Sequence, residues 1–266
     1  MRAVIYIKDK EVEVDFAQGK DISIPLLFNG SQPNTYGVDK AAAKAYQDRN
    51  FIGDTRQGGP CNFETYTLTP HCNGTHTECI GHITTERIDI LSSLQDELIP
   101  SSLISVTPET TNEKYIPPLD PNDLVITKKT LERQLHEINP VFLKGLIIRT
   151  LPNLIEKKEK DYMKTPPAFF SIDAMQYIVE LGVKHLFVDV PSVDRLYDDG
   201  MLSAHNMFWQ TQDKKKNIAT QNKTITEMIF VDEQINDGYY LLNLQIAAFK
   251  TDASPSRPII YVANGV

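Results

Sequence analysis

Cysteine and long apolar runs are scarce in this sequence, and each of these two shortages excludes a class of protein. The 266 residues contain three cysteines and one tryptophan. A small, odd number of cysteines does not build the disulfide framework of a small secreted domain. Residues 1–15 interleave lysine, aspartate and glutamate with valine and isoleucine, so they lack the apolar core of a signal peptide or a membrane span. We therefore expect a cytoplasmic protein with reduced thiols and no membrane partner.

An excess of positive charge is also missing. The chain has 27 lysines and arginines against 35 aspartates and glutamates, a formal net charge of -8. Nucleic-acid surfaces need clustered lysine and arginine because their affinity comes from neutralising phosphates. We expect no nucleic-acid partner, and we interpret the short basic run DKKKN at 213–217 as a solvated loop.

The material that is present suits one large α/β core. Hydrophobic residues make up 41% of the chain, and neither a repeat nor a linker divides residues 1–266, so a single domain is expected. The apolar run AVIYI, the turn KDK and the alternating EVEVDF predict an opening hairpin. Helices are predicted at 127–138 and 171–182, and buried strands at 145–150 and 183–190. Shorter strands are predicted at 21–26 and 61–69.

One stretch concentrates the side chains that bind metals. Residues 69–83, TPHCNGTHTECIGHI, hold three of the six histidines and two of the three cysteines. The tripeptide at 73–75, NGT, opposes a helix interior, so we predict extended structure. In an extended segment Cys72, His76 and Glu78 point the same way, because alternate side chains share a face.

These three side chains are credible ligands for one metal ion. A thiolate, an imidazole and a carboxylate all bind tetrahedral zinc, and a catalytic zinc keeps one position open for water. The same extended register places His71 and Cys79 on the opposite face. From spacing alone, an ordinary turn flanked by polar residues stays an equal alternative.

Several stretches resemble one known family. NGTHTECIGH resembles the H-x-G-T-H-x-D-x-P-x-H signature of the metal-dependent cyclase-like hydrolases, which include bacterial kynurenine formamidase and isatin hydrolase. DISIPL, FFSIDAMQYIVELGVKHLFVDVPSVD, the AH at 204–205 and KTDASPSRPIIYV are similar to family segments in the same order. The resemblance implies a single swivelling β/β/α-type domain with a barrel-like mixed sheet. It also implies a small-molecule substrate and a homo-oligomer, usually a dimer.

The resemblance also implies roles for individual residues. The implied metal ligands are Cys72, His76, Glu78 and Glu227. His82 and His205 fall on the family's proposed acid/base positions. Three departures stand out, because Cys72 replaces a histidine, Glu78 replaces an aspartate and Ile80 replaces a proline.

Two of the ligand assignments have competitors. One inserted residue would make His71 the first ligand, but the strand register favours Cys72 because an insertion would require a bulge. Glu233 competes with Glu227. We prefer Glu227 because it lies in the apolar run ITEMIFV, where a carboxylate without a partner is costly to bury. A sulfur ligand would favour Zn2+ over Mn2+, although either metal is compatible with the family.

The activity implied by the resemblance is hydrolysis of an amide, formamide, lactam or ester by metal-activated water, with arylformamidase activity like that of kynurenine formamidase favoured. His82 is the expected general base, and His205 would orient the substrate or protonate the leaving nitrogen. The rival hypothesis is a catalytically inactive protein that binds a metal or a ligand on the same scaffold, because the ligand set has changed.

The remaining polar and aromatic side chains near these motifs have plainer interpretations. Phe208 and Trp209 either line an aromatic pocket or pack in the core. Asp194 is expected to shape a tight turn, and Asp252 is expected to be structural.

Overall fold

Short strands outnumber helices in this protein. The computed structural model describes residues 1–265. The strands are β1 Arg2–Ile7, β2 Lys10–Asp15, β3 Lys20–Asp21, β4 Ala42–Ala45, β5 Glu64–Thr67, β6 His76–Cys79, β7 Leu98–Val106, β8 Val125–Ile126, β9 Gly145–Thr150, β10 Phe169–Phe170, β11 His185–Val188, β12 Thr224–Glu227, β13 Gly238–Asn243, β14 Ala253–Pro255 and β15 Ile259–Val262. The helices are α1 Pro70–Asn73, α2 Ile90–Ser93, α3 Lys128–Leu135, α4 Ile172–Glu180 and α5 Ser203–Trp209.

Nine of these strands form one curled, half-barrel sheet. Their order across the sheet is β14-β6-β12-β11-β9-β7-β13-β15-β3. Strands β12, β11, β9 and β7 run parallel to one another. At one side β6 and β14 pair antiparallel, and at the other β13, β15 and β3 do so. The predicted mixed α/β class with a barrel-like sheet is therefore confirmed.

The central strands are buried on both faces. On β9, Leu146 and Ile148 contact the core cluster that includes Met175 of α4 and Phe208 of α5. Ile147, between them, belongs to the cluster on the opposite face. Because successive side chains of a strand alternate between faces, a strand covered on both sides has a continuous apolar sequence. This explains why the run GLIIRT predicted a buried strand.

Several local predictions agree with the structure. The opening hairpin forms as β1 and β2, and β9 has the predicted bounds. Helix α4 begins after Ser171, whose side chain accepts a hydrogen bond from the backbone N–H of Ala174. The chain after this helix turns at Gly182, which has a φ of 77°. Helix α3 and strands β5 and β11 are shorter than predicted by a few residues at their ends.

The strand predicted at 21–26 is wrong beyond its first residue. Strand β3 ends at Asp21. The backbone N–H of Ile24 donates instead to the Thr75 hydroxyl at 2.8 Å, and Ser23 forms only an isolated bridge with Ile229. The residues after Asp21 therefore contact Thr75 and Ile229 instead of continuing β3 along the edge of the sheet.

In the described part of the chain, none of the helices has both the length and the apolar character needed to cross a membrane.

Candidate active site

The candidate site is built at one side of the large sheet, on β6 and the two strands that flank it. The antiparallel register places Glu227 of β12 opposite His76 of β6. On the other side of β6, Ala253 of β14 lies opposite Glu78, which brings the preceding Asp252 to the same region. Pairing between segments distant in sequence therefore assembles the cluster.

The residues just before β6 are not extended as predicted. Pro70–Asn73 form the single helical turn α1, with proline in its first turn, where its missing N–H removes no intrahelical bond. This turn changes which side chains face the site. The Nδ1 atom of His71 lies 3.1 Å from Oε2 of Glu78. The prediction that His71 points away from Glu78 is wrong, because a helical turn does not alternate its side chains as a strand does.

Cys72 does not join the converging side chains. Among the described residues, three groups have possible ligand atoms within 4.8 Å of one another; two of them contain His71 and none contains Cys72. Burial, reinforced by the negative charge of Glu227, raises the pKa of the Cys72 thiol to about 11. The geometry therefore favours the competing candidate ligand, His71, over Cys72.

Three overlapping groups of possible ligands are present in the described chain. They are His71 with His76 and Glu78, Glu78 with His82 and His205, and His71 with His82 and Asp252. The first two are centred on the buried carboxylate of Glu78. The third lies at the outer end of the cluster, where the side chains of His71, His82 and Asp252 are 25%, 28% and 41% exposed.

The innermost atoms of this cluster fit a cation. Nδ1 of His76 lies 3.0 Å from the carbonyl oxygen of Gly74. A carbonyl only accepts hydrogen bonds, so Nδ1 carries the proton and Nε2 presents a lone pair. Nε2 of His76 and Oε2 of Glu78 are buried without a hydrogen-bond partner in the described chain, and Nε2 lies 3.5 Å from Oε2 of Glu227.

This convergence of acceptor atoms has a physical consequence. Buried acceptors with no donor between them are costly, and a divalent cation removes that cost. Imidazole nitrogens and carboxylate oxygens suit zinc, and they also suit manganese. Because Cys72 lies outside the group, the argument for zinc that rested on sulfur no longer applies.

Glu227, rather than Glu233, belongs to the site. The Glu227 side chain is buried, and its Oε1 accepts a hydrogen bond from the backbone N–H of Val193 at 2.9 Å. Glu233 is exposed in the segment after β12. The preference for Glu227 rested on the cost of burying an unpaired carboxylate, and the hydrogen bond from Val193 offsets part of that cost.

His205 is held deep in the cluster between two carboxylates. Its Nδ1 lies 2.5 Å from Oδ2 of Asp194 and its Nε2 lies 2.9 Å from Oε1 of Glu78. Burial opposes the charged form. The negative charge of Glu78 and the hydrogen bond with Asp194 outweigh it and raise the pKa of His205 well above its ordinary value. A protonated His205 donates to both carboxylates, so it is placed to fix the position of Glu78.

Asp194 does more than shape a turn. Its Oδ1 accepts from the backbone N–H of Ala204 at 2.6 Å, and its Oδ2 accepts from that of His205 at 3.1 Å. The Tyr115 hydroxyl donates to the same carboxylate at 2.9 Å. Asp194 therefore satisfies the start of α5 and orients its histidine.

Asp252 is the second carboxylate that the sequence interpretation missed. Its Oδ2 lies 2.9 Å from Nε2 of His71 and 3.6 Å from Nδ1 of His82, and the two imidazole rings stack with centroids 4.3 Å apart. Burial lowers the pKa of His71, but the hydrogen bond with Asp252 and the negative charge of Glu78 beside it raise that pKa to about 10. The expectation that Asp252 is purely structural is wrong. In the sequence, the only sign of this role was that Asp252 lies in KTDASPSR, a segment that resembles the family.

His82 reaches the cluster by a different path from the one predicted. The strand ends at Cys79, and Ile80–His82 form a 3-10 turn. Nε2 of His82 still comes within 3.7 Å of Oε2 of Glu78. Cys79 points elsewhere, and its thiol donates to the carbonyl of Ile88 at 3.4 Å.

The aromatic residues after His205 pack in the core. Phe208 and Trp209 are completely buried. The Trp209 ring stacks on the His205 ring with centroids 5.6 Å apart, and its indole N–H donates to the carbonyl of Lys223 at 3.1 Å. Of the two interpretations, core packing is the one that the structure supports.

Comparison with known proteins agrees with this geometry. The family model described as "Putative cyclase" matches residues 20–195. The chain belongs to the putative cyclase family. The resemblance stated from the signature is therefore confirmed for this cyclase-family protein.

The curated relatives that match this chain are kynurenine formamidases. The kynurenine formamidase of Bacillus anthracis is 25% identical over 246 residues, which span 90% of this chain and 95% of that protein. The kynurenine formamidase of Bacillus cytotoxicus is 29% identical over 128 residues, which span 48% of this chain and 54% of that relative.

Solved structures of similar fold cover nearly the whole chain. An isatin hydrolase bound to the product analogue thioisatinate aligns with a TM-score of 0.64 at 14% identity over 93% of both chains. A predicted metal-dependent hydrolase from Bacillus stearothermophilus aligns with a TM-score of 0.60 at 15% identity over 92% of this chain and 98% of that one. At these identities the similarity establishes the fold.

Proposed function

We propose that this cyclase-family protein is a metal-dependent hydrolase of a C–N bond other than a peptide bond, with arylformamidase activity as the favoured reaction. The observation that carries the proposal is that Nε2 of His76 is buried between two carboxylates without a hydrogen-bond partner in the described chain. Oε2 of Glu227 lies 3.5 Å from this nitrogen, and His76 and Glu78 offer ligand atoms within 4.8 Å of each other. The kynurenine formamidases among its relatives support a formamide substrate.

The ligands of the metal would come from the inner cluster. His71, His76 and Glu78 offer atoms within 4.8 Å of one another, and Glu227 adds a carboxylate beside His76. A zinc ion held there would lower the pKa of a bound water toward neutrality and would polarise the substrate carbonyl, and manganese is the alternative. The proposed ligand set is therefore His71, His76, Glu78 and Glu227.

The protein's own side chains would handle the protons. Hydrolysis consumes one water: a C–O bond forms, the C–N bond breaks and the nitrogen leaves with a proton. His82 is partly exposed at the outer end of the cluster, so it is the side chain placed to take a proton and return it to the nitrogen. Asp252 lies beside Nδ1 of His82 and would hold its tautomer.

His205 receives a different role from the one first expected. Both of its ring nitrogens face carboxylates and its side chain is 2% exposed, so it has no free nitrogen for the substrate. We propose that His205 positions Glu78 rather than protonating the leaving nitrogen.

The test combines metal analysis with an assay on an N-formyl arylamine. The wild type is expected to hold stoichiometric metal by mass spectrometry and to release formate. His82→Ala should keep the metal and lose activity by roughly 100-fold or more, the range for a general acid or base. His136→Ala, a change at an exposed histidine outside the cluster, is the matched control.

The rival, an inactive binding protein on this scaffold, makes the opposite prediction. A folded protein that contains no metal, hydrolyses no formamide and is indifferent to His76→Ala would support the rival and remove the proposed function.

A further inference from the structure

A polar pocket adjoins the outer end of the candidate active site. Its volume is about 350 Å³, near the lower end of the range for small-molecule sites. Gly81, next to His82, and Asp252, which contacts His71 and His82, form part of its wall. Asp252 therefore borders both the pocket and the cluster, and Gly81 joins the pocket wall to His82 along the chain.

Two side chains of this pocket carry uncompensated positive charge. Arg87 and Lys250 both line it, both are exposed, and neither forms an ion pair with any residue that the structure describes. Lys216 nearby is different, because its Nζ lies 2.6 Å from a carboxylate oxygen of Glu86.

The acidic side chains of the pocket are already engaged. Asp252 faces His71 and His82. Asp89 accepts a hydrogen bond from the backbone N–H of Ser92 at 2.9 Å through its Oδ1. Both acidic side chains therefore have partners within the protein, whereas Arg87 and Lys250 have no ion-pair partner among the described residues.

The basic run DKKKN lies beside the same pocket. The carbonyl oxygen of Lys214 accepts a hydrogen bond from the backbone N–H of Thr85 at 3.0 Å and from the Thr85 hydroxyl at 3.4 Å, and Thr85 lines the pocket. Lys214 and Lys215 are exposed. The sequence predicted that this run is a solvated loop. The two hydrogen bonds from Thr85 hold the loop beside the pocket.

This concentration of positive charge is local. The whole chain carries a formal net charge of -8, whereas Arg87, Lys250, Lys214 and Lys215 lie in or beside this one pocket without an ion pair among the described residues. Such a region raises the local concentration of anions and guides them toward the site. The guanidinium of an arginine is suited to a carboxylate, because its donors match the two oxygens.

We propose that this pocket binds a carboxylate of the substrate, through Arg87 and Lys250, while the scissile amide lies at the metal cluster. The substrate class is then a small aryl amide or formamide that carries a carboxylate near the bond to be cleaved. This inference rests on the proposed function for its catalytic part only, since binding to the pocket is measurable without turnover.

The kinetic test compares two substrates that differ in one group. N-formylanthranilate carries a carboxylate, and formanilide lacks it. The double variant Arg87→Gln, Lys250→Gln should raise KM for N-formylanthranilate by roughly tenfold, the order expected for losing charge-assisted hydrogen bonds. Its kcat/KM for formanilide should stay within about twofold of the wild type, because surface changes that remove no contact have small effects. Arg133→Gln, an exposed arginine on α3, is the matched control.

A second measurement separates the pocket from the reaction. The binding of anthranilate to the metal-loaded protein, followed by titration calorimetry, should weaken by a similar factor in the double variant and not in Arg133→Gln. Loss of activity on both substrates alike, or unchanged anthranilate binding, would overturn the pocket assignment. A wild type that binds anthranilate through these residues but hydrolyses neither formamide would overturn the proposed function and leave the pocket supported.

Discussion

At the scale of single residues, the choice between His71 and Cys72 shows how one backbone turn alters chemistry. The two residues are adjacent, and either could be aligned with the first ligand of the family signature. Helix α1 directs His71 toward Glu78 and leaves Cys72 buried as a thiol. With His71 as the proposed ligand, only histidine nitrogens and carboxylate oxygens would bind the metal, and no sulfur atom would favour one metal over another.

This difference predicts opposite behaviour for two neighbouring variants. His71→Ala should weaken metal binding by roughly 10-fold or more, since it removes a ligand. Cys72→Ala should keep stoichiometric metal, because its sulfur lies outside the ligand groups. Metal content after dialysis against a weak chelator measures both. Retention of metal by His71→Ala together with its loss from Cys72→Ala would restore Cys72 as the ligand.

At the scale of secondary-structure elements, helix α5 depends on a carboxylate from another segment. The helix starts after Leu202, which has no side-chain hydrogen bond to cap it. Asp194 supplies the acceptors instead and also binds the His205 ring. One side chain thus joins the start of the helix to the candidate active site.

Asp194→Asn tests this arrangement. Removing one partner of a buried ion pair costs about 3–5 kcal/mol, because the other charge is left unpaired. We expect a loss of that order in the free energy of unfolding, measured by urea denaturation, together with reduced activity. Asp199→Asn, an exposed change in the same loop, should stay within about 0.5 kcal/mol of the wild type. A similarly small loss in Asp194→Asn would show that the carboxylate does not support the helix.

Elements differ in how far their sequences predict them. The strand β9 and the helix α4 follow from periodicity and from Ser171 as a cap, because the information lies within each segment. The turn α1 and the irregular path after β3 do not follow, since they depend on contacts such as that between Ile24 and Thr75, 51 residues apart.

At the scale of the whole molecule, the carboxylate of Asp96, which lies near the starts of β9 and β11, links the stability of the fold to pH. Asp96 accepts hydrogen bonds from Lys144 at 2.7 Å and Lys184 at 2.6 Å, and its Oδ2 lies 3.0 Å from Nε2 of the buried His185. The hydrogen bond with His185, followed by those from the two lysines, holds the pKa of Asp96 well below its ordinary value, although burial opposes the shift. This carboxylate connects the segment before β7 with the starts of β9 and β11.

The direction of the pH effect follows from this shift. The pKa of Asp96 is lower in the folded protein than the value of about 3.9 in an unfolded chain. Its stabilising contribution is therefore complete above about pH 4 to 5 and is lost as the pH falls through the folded-state pKa. The gap in melting temperature between the wild type and Asp96→Asn should narrow as the pH is lowered from 6 toward about 3. Asp9→Asn, in the exposed hairpin turn, should show no gap across this range. A gap for Asp96→Asn that stays constant with pH would contradict the assignment.

Assembly into a dimer or larger homo-oligomer and a cytoplasmic location stay predictions for this protein. They concern the molecule beyond the single chain, and size-exclusion chromatography with light scattering tests the first directly.

The sequence by itself determined the family and the α/β class. It also predicted His76, Glu78 and His82 as site residues, because they lie within one short segment whose signature is local. It also favoured Glu227, through the energetic cost of an unpaired carboxylate in an apolar strand. Only the tertiary structure places His71, rather than Cys72, beside Glu78. It also places Asp194 against His205 and Asp252 against His71 and His82. These placements depend on the pairing of β6 with β12 and β14, whose partners lie far apart in the sequence, and no local pattern encodes such a register.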